Sequence, residues 1–257
     1  MKLRIRQIAL VAEQLEPVLA DFRAVLGIEV CYRDPGVARF GLENALLPIG
    51  NQLLEVVAPT EEGTAGGRYL ERRGGDGGYM VITQCDDHAP RRKRVDELGI
   101  RIVTEFEVPG HFRNMQLHPK DTGGSFFEID QELGEHANDE DGPWHPAGGD
   151  WKAGQRLDVV TGITAAEIQA DDPAKVAARW SEIAEIPLGK DAAGNTILPL
   201  DGSVVRFVAI SDGRPEGLGG IDVSVADRAR LLAAAKARGC YVNDGEVRLC
   251  GMRVRLR

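Results

Sequence analysis

The same 48-residue interval occurs twice in this chain, from Gln7 to Glu55 and from Met80 to Glu128. Each interval begins in an apolar, strand-like run, Ile5-Arg6-Gln7-Ile8-Ala9-Leu10-Val11 or Tyr79-Met80-Val81-Ile82-Thr83. Each ends in another, Leu53-Leu54-Glu55-Val56-Val57 or Phe126-Phe127-Glu128-Ile129. A repeat of this period confines the chain to a tandem architecture. Each copy puts a polar or soft side chain on its first strand and a carboxylate on its last. Two copies related by a pseudo-twofold axis would aim four side chains at one point, the geometry of a small-molecule or metal site.

The repetition continues. Ala12 to Phe22 (AEQLEPVLADF) is matched by Ala170 to Trp180 (ADDPAKVAARW), and strand-to-helix text recurs at Val81 to Gly99 and Ile221 to Gly239. Leu15, Val18, Leu19, Phe22, Val25 and Leu26 follow the helical i, i+3, i+4, i+7 rule, as do Val176, Trp180, Ile183 and Ala184. The second helix keeps Val95 and Leu98 and stops at Gly99; the fourth carries Leu231, Leu232 and Ala235 and stops at Gly239. Turn signals such as Asp34-Pro35-Gly36, Pro48-Ile49-Gly50-Asn51 and Asp121-Thr122-Gly123-Gly124 then separate short strands. The unit is one strand, one helix and about three strands, which makes the fold class α+β with four tandem βαβββ units. Two units make a domain over 1–133 and two more a domain over 157–257, a division that 257 residues accommodate. Residues 134–156 have no apolar period and form the linker. Its Trp144 and Trp151 favour a docked linker over a lid on a site.

Composition excludes several classes. Net charge is −9 and the one concentrated basic run, Arg91-Arg92-Lys93-Arg94, suits the solvated face of a helix, so no nucleic-acid partner is expected. No apolar run reaches the length of a membrane span and the N-terminus lacks the features of a secretion signal. Cys31, Cys85, Cys240 and Cys250 lack metal-knot spacing, which points to a cytoplasmic protein without disulfides. There is no Gly-x-Ser-x-Gly nucleophile turn and no phosphate-binding Gly-x-x-x-x-Gly-Lys-Ser/Thr loop, hence no nucleotide cofactor. The pairs Gly66-Gly67, Gly74-Gly75 and Gly77-Gly78 have the composition of a flexible connection.

The segment His118-Pro119-Lys120-Asp121-Thr122-Gly123-Gly124-Ser125-Phe126-Phe127-Glu128 resembles the His-Pro-Lys-x-x-Gly-Gly text before the last strand of methylmalonyl-CoA epimerases, and Gly50-Asn51-Gln52-Leu53-Leu54-Glu55 resembles the text before their earlier acidic strand. With the tandem units, this makes the chain similar to the vicinal oxygen chelate superfamily, which includes glyoxalase I, the extradiol dioxygenases and the bleomycin and fosfomycin resistance proteins. The resemblance implies curved half-barrel sheets. It also implies one divalent-metal ligand (for Ni, Co, Zn, Mn or Fe) from each of four strands, by position Gln7, Glu55, Met80 and Glu128. Gln7, Glu55 and Glu128 match that pattern; Met80 stands where the family has His, and a thioether is a poor partner for hard ions. In the second domain the positions fall on Ala165, Phe207 or Arg206, Gly220 and Arg255, none a usual metal ligand.

These features carry three functional expectations. The first is a lyase, isomerase or epimerase acting beside a carbonyl. A metal on Gln7, Glu55 and Glu128 would polarise the substrate oxygen, Glu128 and Glu55 would move the proton, and His118 and Met80 would contact substrate. His111 and Glu43 are further acid–base candidates. The second is a metal-free small-molecule binding or sequestration protein, which Met80 favours. The third, extradiol-type ring cleavage, lacks the two-His-one-carboxylate iron set. The expected partner is a small molecule; homodimerisation through an exposed sheet edge is a further expectation, and no membrane partner is expected.

Overall fold

A computed structural model of the chain describes residues 2–257. In chain order the elements are β1 (Leu3–Val11), α1 (Leu15–Leu26), β2 (Leu42–Ile49), β3 (Gln52–Pro59), α2 (Ala65–Arg73), β4 (Gly77–Cys85), α3 (His88–Glu97), β5 (Ile102–Val108), β6 (Phe112–Leu117), α4 (Pro119–Thr122) and β7 (Phe126–Glu132). They continue with β8 (Val160–Ala170), α5 (Pro173–Ala184), β9 (Gly189–Lys190), β10 (Thr196–Leu200), β11 (Ser203–Ala209), β12 (Gly217–Val225), α6 (Arg228–Arg238), β13 (Tyr241–Asn243), β14 (Glu246–Leu249) and β15 (Met252–Leu256). Two mixed sheets result, ordered β2-β3-β1-β4-β7-β6-β5 and β13-β14-β15-β12-β8-β11-β10-β9. The α+β class and the tandem βαβββ units are therefore present as expected. In the first repeat one strand is reduced to the bridge between Tyr32 and Leu46, followed by a 3-10 turn at Pro35–Phe40.

Compact packing groups the repeats differently from sequence order. Unit I joins the second and third repeats (the first strand to Arg6, 79–145 and 165–218); unit II joins the first and fourth (7–78, 146–164 and 219–257).

In unit I the organising side chain is Trp180 of α5. Its ring stacks on Phe127 of β7 at 4.3 Å between centroids and meets Phe207 of β11 edge-on, and its indole N–H donates to the Gly123 carbonyl at 3.1 Å. Gly124, with φ +73°, donates its N–H to Glu216 and lies so near Ile168 that a Cβ would approach the Ile168 Cγ2 to 2.4 Å. Only glycine accepts both that backbone and that approach. The basic run of α3 is not uniformly solvated. Arg91 shares the buried face with His88 and Val95, as a helical period dictates, and donates to the carbonyls of Ala184 and Lys2. The 134–145 stretch docks here: Trp144 is buried edge-on to Phe112 and beneath the Arg6 guanidinium, while Arg4 and Arg6 bond the carbonyls of Asp139, Glu140 and Gly142.

In unit II the α1 stripe is buried at all six expected positions, which contributes roughly 10 kcal/mol before conformational entropy is subtracted. α1 ends at Gly27 in the left-handed region and packs against α6. Gln52 clamps β8, exchanging hydrogen bonds of 2.8 Å with the Ile163 N–H and carbonyl. The glycine-rich stretch after β3 is ordered into elements rather than a flexible connection: Gly66-Gly67 lie in α2, Gly74 caps its end and Gly77-Gly78 open β4. Thr64 caps α2 by accepting the Gly67 N–H, and Gly66 lets the helix approach Leu42.

Candidate active site

Two polar centres form on the first sheet, one in each unit. In unit II, β1 runs parallel to β3 with Ala9 opposite Glu55, and β2 runs antiparallel with Leu46 opposite Glu55 and Asn44 opposite Val57. Strand alternation puts Leu53, Glu55 and Val57 on one face. There the Gln7 Nε2 donates to Glu55 Oε2 at 2.8 Å and the Asn44 Nδ2 to Glu55 Oε1 at 2.6 Å. The orientation of Asn44 is set by its other end, because Oδ1 accepts the Asp34 backbone N–H at 2.8 Å. Asp34 is itself fixed as the cap of the Pro35–Phe40 turn, accepting the Gly36 N–H. Gln7 and Asn44 are 2% and 3% exposed. Burial pushes the Glu55 carboxyl above its ordinary value, against the pull of the Asn44 and Gln7 hydrogen bonds and with the help of the Asp34 charge. The register also explains why Glu43 is not the neighbouring base: it is exposed, and Asn44 takes that place.

In unit I, β4 runs parallel to β7 with Ile82 opposite Glu128 and Gln84 opposite Asp130, and β6 runs antiparallel with Gln116 opposite Glu128. Gln116 Nε2 donates to the Met80 thioether at 2.9 Å, and Asn114 Nδ2 donates to Asp130 Oδ1 at 3.0 Å. Glu128 and Asp130, two apart on one strand, share a face, and both are buried. Burial, then the Glu128 charge and hydrogen bond, drive the Asp130 carboxyl far above its ordinary value, against the Asn114 and Met115 donors. Two adjacent carboxyls in such surroundings resist ionising together.

The other candidates have local roles. His118 Nδ1 accepts the Lys120 N–H, capping α4, and Arg101 grips Asp121 through its backbone N–H and two guanidinium nitrogens, holding that carboxyl well below the usual range. His111 is exposed at a turn. In the second sheet Arg206 pairs with Glu167 at 3.0 Å within unit I, and Arg257 pairs with Asp222 at 2.6 Å within unit II. Asn44, Gln116, Asn114 and Asp130 escaped the reading of the sequence. Asp130 was within reach of it, being two residues beyond Glu128 on a strand; the others need the register.

The donor set does not fit a divalent ion. Both Glu55 oxygens carry amide N–H donors, Glu128 is engaged with Asp130, and Met80 offers a soft sulfur already capped by an amide. Among the described residues, no three His, Cys, Asp or Glu side chains stand as a metal cluster.

The sequence matches the model of the glyoxalase-like domain over residues 8–184. The chain belongs to that family. Among the proteins it is similar to, the ethylmalonyl-CoA/methylmalonyl-CoA epimerase of Cereibacter sphaeroides is 27% identical over 131 residues, 50% of this chain and 97% of that protein. The human mitochondrial methylmalonyl-CoA epimerase is 23% identical over 130 residues, 50% of this chain and 73% of that one. A hypothetical protein from Staphylococcus aureus shares the fold of the whole glyoxalase-like chain: TM-score 0.65 at 12% identity, covering 100% of this chain and 99% of that one. The expected superfamily and tandem organisation are thus borne out, and an epimerase- or isomerase-type role on a small molecule is supported. Among the described residues, no helix is long and apolar enough to cross a membrane.

Proposed function

We propose that the chain is an epimerase or isomerase that moves a proton at the carbon next to a carbonyl, with the acyl thioester of a 2-substituted dicarboxylic acid as its substrate class. The observation that carries the reading is the Glu55 clamp: a carboxylate held on both oxygens by buried amides, with its proton affinity raised by burial. Such a group takes the α-proton, leaving an enolate, and returns a proton to the same carbon; raised affinity suits it to this exchange near neutral pH. Glu128 is the second proposed proton carrier, because it lies beside Asp130, whose proton affinity is raised by burial and by the Glu128 charge. Met80 and His118 are proposed substrate contacts. The substrate class follows from the Cereibacter relative, whose name specifies ethylmalonyl- and methylmalonyl-CoA.

The test is proton exchange. Methylmalonyl-CoA is incubated with the protein in deuterium oxide, and the loss of the α-proton signal is followed by NMR. Exchange that falls by about 100-fold or more in Glu55→Gln supports the assignment. Absence of exchange with methylmalonyl- and ethylmalonyl-CoA, at concentrations where calorimetry shows binding, overturns it and leaves the sequestration reading, which the amide-capped Met80 favours.

A further inference from the structure

The Glu55 centre contains a lock that concerns metal, not proton transfer. We infer that Asn44 makes this centre metal-independent, by holding an amide N–H2 permanently against the carboxylate oxygen that a divalent ion would need. The inference deepens the proposed function and rests on it for its chemical consequence only: Glu55 works as a proton carrier oriented by amides, without a Lewis acid beside it.

The direction in which each amide faces decides whether an ion can enter. Gln7 could in principle rotate its amide and offer an oxygen to a cation. Asn44 cannot, because rotation would set its N–H2 against the Asp34 N–H that now donates to Oδ1 at 2.8 Å. Asp34 has no freedom to relieve that clash, being held by the turn it caps through the Gly36 N–H. The Asn44 Nδ2 is therefore committed to Glu55 Oε1 at 2.6 Å. An ion on that oxygen would face the positive end of the amide dipole at contact distance, in a place where Asn44 is 3% exposed and water does not screen the repulsion. The second oxygen is taken by Gln7 at 2.8 Å. Binding an ion would break two hydrogen bonds to a carboxylate and expel a side chain pinned at its far end. Two amides already give the carboxylate the fixed orientation that metal coordination would otherwise supply. In metal sites the groups around the ligands are arranged to hold them toward the ion; here they hold Glu55 away from that role.

The experiment uses the full-length chain and does not depend on turnover. Wild type, Glu55→Gln, Asn44→Asp and Asn44→Ser proteins are dialysed in turn against Co2+, Ni2+, Zn2+ and Mn2+. Bound metal is measured by elemental mass spectrometry, and Co2+ ligation by visible absorption. The wild type is expected to retain no stoichiometric ion that depends on Glu55. Asn44→Asp replaces the blocking N–H2 by an oxygen and is expected to bind Co2+ at least about tenfold more tightly than wild type. Asn44→Ser removes the block without adding a charge beside Glu55 and is expected to move the same way, which guards against misfolding of the first variant. One equivalent of metal in the wild type, lost in Glu55→Gln, overturns the inference. So does failure of both Asn44 variants, folded by circular dichroism, to gain affinity. Proton exchange by a metal-free wild type would uphold both proposals. A metal-free protein without exchange would sink the proposed function and leave this inference standing.

Discussion

Removing the Asn44 side chain should destabilise the protein by an amount that depends on pH. Asn44→Ala deletes a hydrogen bond of 2.6 Å to the Glu55 carboxylate and one of 2.8 Å from the Asp34 N–H. A bond to a charged group is worth about 1.5–3 kcal/mol and a neutral one about 0.5–1.5 kcal/mol. Asp34 is only half-buried, so water recovers part of the second. The expected loss near pH 7 is about 2–3 kcal/mol, or a fall in Tm of about 4–10 °C for a chain of this size. The pH dependence identifies the bond to Glu55 as the source. Because the folded-state affinity of Glu55 is raised, folding takes up a proton between the ordinary glutamate value and the raised one. Wild-type stability from this group is fully present below that window, declines as pH rises through it, and is flat above. The Asn44 bond favours the charged form, so its deletion raises the folded-state affinity further and extends the decline to higher pH. Urea unfolding at unchanged m-value, compared near pH 4 and pH 7, should show the smaller loss at the acid end, where Glu55 is protonated. Equal losses at the two pH values, or a loss below about 0.5 kcal/mol at neutral pH, would refute the Asn44 bond to the ionised Glu55 as the source of the lost stability.

Two further outcomes test unit I. Asp130→Asn keeps the acceptor for Asn114 and removes a buried carboxyl whose proton affinity is raised by burial and Glu128. The wild type loses stability as pH rises from the ordinary aspartate value through the raised one, so the variant should be more stable above that window, by about 1–3 kcal/mol, and flatter across thermal melts from about pH 4 to 8. Gly124→Ala would force a Cβ to within 2.4 Å of the Ile168 Cγ2 at φ +73°, at a cost of about 2–4 kcal/mol by denaturant titration. Gly213→Ala, at φ +72° with nothing within 4 Å, should lose only about 1 kcal/mol; equal losses would remove the contact with Ile168 from the explanation.

What the sequence revealed and what it concealed follow from the range of the interactions. Helix stripes are local, so all six apolar positions of α1 and the four of α5 were legible from spacing. Gln7 and Glu55 were found because an interval of 48 residues repeats, and they do share a hydrogen bond. Asn44 was not found because its relevance depends on the antiparallel register of β2 on β3, where a shift of one residue would have presented Glu43 instead. The inward turn of Arg91 was hidden in a run of four cations, since charge composition carries no information on which member faces the core. The helix at Ala65–Arg73 was hidden by its glycines, whose low propensity is outweighed by the Thr64 cap and the close approach to Leu42.

The His-Pro-Lys segment shows how a resemblance to an enzyme motif can persist under structural constraint. His118 caps the turn it begins, Asp121 is gripped by Arg101, and the two glycines at its end adopt positive φ. Each of these serves the backbone, and Asp121 and the two glycines also meet the third repeat. Arg179 donates to the Asp121 carbonyl, Trp180 to the Gly123 carbonyl, and Glu216 accepts the Gly124 N–H. Trp180 then stacks on Phe127, the residue before Glu128. The third repeat has no usual metal ligand at its aligned positions, yet its helix fixes the strand that carries Glu128 and Asp130. A repeat can thus lose the chemistry of its site and still govern the chemistry of its neighbour, because β7 cannot shift without breaking the indole's hydrogen bond and its ring stack together. The Cereibacter epimerase matches half of this chain over almost its full length. In unit I the added half is not an appendage but the packing surface against which the motif is held.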